Sequence, residues 1–134
     1  MNYKQARDEI LGVFNAAWAP RTAVWTDLPS DVPSGGVWAR PTLRHDTGGQ
    51  GSLAGDQGKI QYDNGGVLFI QVFTPIGQGS SENYDLSQML VSAYRAYKHP
   101  NLWFRNVRMQ EVTSSQSAFQ QHNVMADFEY TNVE

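Results

Sequence analysis

The sequence predicts an α+β domain, a mostly antiparallel sheet of four to five strands with two helices packed on it. Three observations point there. Apolar side chains recur at helical spacing in two stretches, residues 3–18 and the segment that follows Ser81. β-prone runs fill much of the remainder, punctuated by glycine and proline. Helices and strands do not alternate regularly, so hairpins outnumber the crossovers that a parallel sheet needs. At 134 residues, the chain is expected to be a single domain, 1–134, able to bury about two-thirds of its unfolded surface in one core.

In residues 3–18, Tyr3, Ala6, Ile10, Val13, Phe14 and Ala17 fall on one side. Pro20 stops this helix, because the residue before a proline is pushed out of the α region. Residues 22–27 are short and β-prone, the weakest of the expected strands. Residues 28–36 (LPSDVPSGG) read as a loop. In the strand expected at 37–45, Val37, Ala39 and Leu43 share one face and Arg40, Thr42 and Arg44 the other. Pro41 lacks an N–H, which puts this strand at an edge or kinks it. Residues 46–58 hold five glycines and are expected to be a flexible loop.

Residues 59–63 (KIQYD) form a short expected strand, and Asn64-Gly65-Gly66 a tight hairpin turn. Residues 67–75 are apolar on both faces except at Gln71, which predicts a central strand covered on both sides. Pro75 ends it, and Gly77-Gln78-Gly79 turns the chain. Ser80 or Ser81 can cap the second helix, with Glu82 and Asp85 at its positive end. Leu86, Leu90, Ala93 and Tyr97 line one stripe of it, and Pro100 closes it. Strands are expected at 102–112, with Val107 and Met109 on one face, and at 120–130. In the latter, Val124, Ala126, Phe128 and Tyr130 oppose Met125, Asp127 and Glu129.

Composition excludes several kinds of chemistry. Without cysteine, there is no disulfide framework, thiolate metal site or cysteine nucleophile. The N-terminus MNYKQARDEI carries acids and no apolar run, unlike a signal peptide. No membrane span is expected, because no stretch approaches 18 uninterrupted apolar residues. A formal charge of −3 gives no bulk attraction to DNA. Arg40, Arg44, Arg105 and Arg108 are the candidates for a local basic patch.

The motifs that could carry chemistry are weak. Gly49-Gln50-Gly51-Ser52-Leu53-Ala54 fits a dinucleotide fingerprint in letters only, since Gly55 and Gly58 argue against the helix that would hold the pyrophosphate. Gly58-Lys59 is followed by Ile60, where a phosphate loop needs Ser or Thr. His45, Asp46 and Ser52 lie on or beside the glycine-rich segment, a poor frame for acyl transfer. Asp127 and Glu129 share a strand face, but two such carboxylates more often serve solubility or interfaces than acid–base chemistry. His45, His99 and His122 lack metal-ligand spacing. No cofactor and no metal is expected.

Across most of its length the chain resembles the tail terminator, or tail completion, proteins of long-tailed phages, the family of the lambda-type minor tail protein. The similarity runs through Phe14 and Trp18, Val24-Trp25 before a proline loop, and Trp38-Ala39-Arg40-Pro41-Thr42. It continues through the strand and turn from Gly66 to Gly79, and ends in Asn123 to Tyr130. The resemblance implies a homo-oligomeric ring, usually of six subunits, on the head-proximal end of the tail in the virion. Such a ring binds the tail tube protein, stops tube growth, presents a surface to a head-completion or connector protein, and lets DNA pass without specific binding. A heterologous contact that closes on itself builds such a ring. Gln50, Ser52, Leu53 and Asp56 are the expected contacts of the glycine-rich segment to a neighbour or the tube. Arg40 and Arg44 are expected to pair with Asp127 or Glu129 between subunits. Three alternatives stay open: another head–tail connector component, a ligand- or peptide-binding module with a glycine-rich lid, and a hydrolase using Asp127, Glu129 or His45.

Overall fold

The protein's structure, a computed structural model, describes residues 1–26, 33, 35–50, 61–76, 81–112 and 119–133, with Gln50 described by its backbone alone. The elements follow the order α1 (Tyr3–Trp18), β1 (Thr22–Ala23), β2 (Trp38–Gln50), β3 (Gln61–Pro75), α2 (Ser81–Ala96), β4 (Leu102–Val112) and β5 (Phe119–Val133). The strands form one sheet in the order β1-β2-β3-β5-β4. Every pairing is antiparallel except the short parallel contact of β1 with β2. This is the α+β class the sequence predicts.

Helix α1 begins with a reciprocal cap, in which the Gln5 amide donates to the Asn2 side chain and the Asn2 amide to the Gln5 side chain. Its buried stripe is Ala6, Ile10, Phe14 and Trp18. Tyr3, expected on that stripe, is 63% exposed. Helix α2 buries Leu86, Leu90, Val91 and Tyr94, and the Tyr94 hydroxyl donates to the Ile10 carbonyl at 2.7 Å. Both helices lie on one face of the sheet, over Leu68, Ile70 and Val72 of β3 and Val124, Ala126, Phe128 and Tyr130 of β5.

The β2–β3 hairpin departs from the sequence reading. Residues 46–50, expected within the flexible loop 46–58, continue β2 and pair with Tyr62–Gly65 of β3. Residues 51–58 lie outside the described residues. Asn64-Gly65-Gly66 is no turn: Gln61–Pro75 is one strand, and the two strands expected there are merged. Close backbone approach explains the glycines. A Cβ at Gly66 would stand 1.9 Å from the Arg44 carbonyl oxygen, and one at Gly65 2.7 Å from that of Phe128. A register shift between His45 and Thr47 lies against this point.

Pro41 lies just past the end of β1, which pairs only with Trp38 and Ala39, so its missing N–H interrupts no described ladder. β3 is central as expected, but among the described residues only one of its faces carries helices.

Candidate interface on the uncovered sheet face

Strand alternation sends every second side chain away from the helices. The register stacks these residues into rows that cross β2, β3, β5 and β4. One row runs Arg44, Val67, Asp127, Arg105; the next Thr42, Phe69, Met125, Arg108; the third Arg40, Gln71, Asn123, Gln110. Val67, Phe69 and Met125 form a half-exposed apolar strip at the centre. Arginines flank it on both sides.

Bulged β4 makes the flank possible. Asn106 has a φ of 53°, and the register shifts between Arg105 and Arg108. The shift sends both arginines to the uncovered face while Val107 stays buried on the helix side. Arg105 pairs with Glu129, and Arg108 lies 3.9 Å from Asp127. Asn106 donates to Asp127 at 2.8 Å. The carboxylates expected to meet Arg40 and Arg44 of a neighbour are therefore already engaged within their own chain. Arg40 donates weakly to Gln71 at 3.5 Å and spreads over the Trp38 ring, 5.3 Å from its centre. Arg44 is exposed.

One end of this face is closed by a second, smaller core. Trp38 stacks on Phe73 with ring centres 4.0 Å apart, and Phe119 meets Trp38 edge-on at 5.8 Å. Val24 completes the cluster.

Of the other expected site residues, Gln50 ends β2 opposite Tyr62, and Ser52, Leu53 and Asp56 lie outside the described residues. The residues of this candidate interface that the sequence reading did not single out are Val67, Phe69 and Met125. Their signal was a strand apolar on both faces, which reads equally as a buried strand.

The candidate chemical groups are not gathered. His45 sits on the helix side, where its Nε2 meets the Tyr130 hydroxyl at 2.8 Å and Tyr3, Phe128 and Tyr130 surround its ring. Asp127 and Glu129 point from the opposite face. Burial lowers the His45 pKa, partly offset by Asp46, and pushes the Tyr130 phenol up to about 12. A groove of about 450 Å³ beside His45, between α1 and β2, has Leu11, Trp25 and Leu43 in its walls and Lys4 and Arg7 at its rim. No group of metal-ligating side chains occurs among the described residues, and no described helix is long and apolar enough to cross a membrane.

A further polar cluster holds α2 to the sheet. The Asn83 amide is shared among the Val72 carbonyl, the Thr74 hydroxyl and the Gln120 carbonyl, at 3.1–3.3 Å. Ser87 donates to the Asn83 oxygen at 3.2 Å and lies 3.4 Å from His122 Nδ1. His122 is buried, and its Nε2 has no hydrogen-bond partner among the described residues. Burial lowers its pKa, opposed by Glu111.

No family model and no curated protein matches the sequence. Solved structures do. One of them, whose name states no activity, is similar over 95% of this chain and 92% of its own, with a TM-score of 0.59 at 19% identity. At that identity the likeness speaks for the fold alone.

Proposed function

We propose that this protein is a structural subunit which assembles with copies of itself into a ring on the end of a phage tail tube, using the uncovered face of the sheet. The observation that carries the reading is the strip of Val67, Phe69 and Met125, half exposed between arginines, on a face that neither helix covers. An apolar strip rimmed by charge is the anatomy of a protein interface.

The phage setting rests on the resemblance in segment order. The segments that carry it, Trp38–Thr42, Gly66–Gly79 and Asn123–Tyr130, include the central rows of that face. In this reading the ring halts tube growth, offers its far side to a head-completion protein, and passes DNA without holding it. The protein acts through contact and without catalysis, consistent with His45 lying across the sheet from Asp127 and Glu129.

Native mass spectrometry of the purified chain, followed by electron microscopy with purified tail tubes, tests this. A closed oligomer, or one formed on tube ends, is the expected result. A chain that stays monomeric at every concentration and ignores the tubes rules the reading out.

A further inference from the structure

The uncovered face is cationic in a chain whose formal charge is −3. It gathers Arg40, Arg44, Arg105 and Arg108; of the carboxylates on it among the described residues, Asp127 and Glu129 are engaged by β4, and Asp63 lies two rows beyond Val67, where Gln61 donates to it. Among the described residues, neither Arg40 nor Arg44 makes an ion pair.

The start of α2 has the matching character. Glu82 and Asp85 are exposed there, and no cationic residue occurs from Ser81 to Tyr94. Tyr84, between the two acids, is 41% exposed, and Ile76, on the chain leading to the helix, is 61% exposed. The first turn of α2 is firmly set: Asn83 ties it to β3 and β5, and the Tyr84 ring rests edge-on against His122 at 4.8 Å. It is thus an apolar knob with an acidic rim, while the sheet face is an apolar strip with a basic rim.

We propose that the sheet face of one copy receives the α2 knob of a second copy. Tyr84 packs on Phe69 and Met125, and Glu82 and Asp85 meet Arg40 and Arg44. The apolar contact supplies most of the affinity, and the charges set register and exclude wrong pairings. Knob and face are different surfaces, so each copy offers one of each, and the contact propagates until a ring closes. Like surfaces repel, which disfavours two-fold dimers. This inference rests on the assembly reading above and specifies its contact.

The test is charge exchange, read by native mass spectrometry and light scattering. Glu82→Arg with Asp85→Arg, or Arg40→Glu with Arg44→Glu, is expected to weaken assembly by about tenfold or more, because like charges then face each other. The chain carrying all four substitutions should assemble again, since both rims are inverted together. Because the native chain has no cysteine, Thr42→Cys with Asp85→Cys gives an independent readout: oxidation should link successive copies covalently. If wild type assembles while the Glu82/Asp85 reversal leaves assembly intact, or the cysteine pair links nothing, the knob contact is wrong and the assembly reading survives. A four-substitution chain as dissociated as either pair also overturns it. If wild type never assembles, with or without tubes, both fall.

Discussion

The two faces of the sheet carry comparable apolar residues with opposite fates. On one, Leu68, Ile70, Val124 and Ala126 are sealed beneath two helices. On the other, Val67, Phe69 and Met125 stay half exposed, one residue away along the same strands. The two described helices form a single layer on one face. The covered face governs folding. The uncovered face has little to lose in the monomer and much to gain from a partner, since each apolar side chain it buries is worth about 1.5–3 kcal/mol.

Substitutions can break this contrast at either face. The largest effect should come from the covered one. Phe14→Ala, at a fully buried position, is expected to cost about 3–5 kcal/mol in denaturant unfolding. Phe69→Ala should cost about 1 kcal/mol or less in the monomer, and under the proposed assembly its main consequence is a lower assembled mass. A comparable loss at both sites would mean that Phe69 is a core residue.

Next come the devices that fix the layers. Asn83→Ala leaves the Val72 and Gln120 carbonyls and the Thr74 and Ser87 hydroxyls short of a partner, at a cost of about 1–3 kcal/mol. Hydrogen exchange should then rise first in the opening turns of α2. Gly66→Ala forces a methyl onto the Arg44 carbonyl, again about 1–3 kcal/mol, and thermal unfolding measures it.

A smaller effect depends on pH. His45 and His122 have folded pKa values below the ordinary 6.5, so the unfolded chain binds their protons first. Their contribution is complete above pH 6.5 and is lost as pH falls through the folded values. His122→Asn should flatten the thermal midpoint against pH below 6.5. An unchanged slope would show that His122 does not titrate between the folded and unfolded states. The smallest stability change is expected for Arg40→Glu with Arg44→Glu, within about 0.5 kcal/mol on a solvated face, even where assembly is lost.

Much of this was legible in the chain itself. The alternation of Val124, Ala126, Phe128 and Tyr130 with Met125, Asp127 and Glu129 assigned each residue its face, because side-chain direction in a strand is a local property. It likewise put Arg40 and Arg44 together. Asn64-Gly65-Gly66 misled, since glycine marks a turn and a close backbone approach with the same letter, and the approach here involves Arg44 and Phe128, distant in sequence. His122 and Asn83 gave no signal, because their burial comes from α2 docking on β3 and β5.

Local sequence thus determined the helices, most of the strands and which residues share a face, since backbone sterics and periodicity act over a few positions. Tertiary structure decided what those faces meet. It joined two expected strands into β3, engaged Asp127 and Glu129 through the β4 bulge, and set both described helices on one side of the sheet. Those outcomes depend on contacts between segments far apart in the chain, which no local pattern encodes.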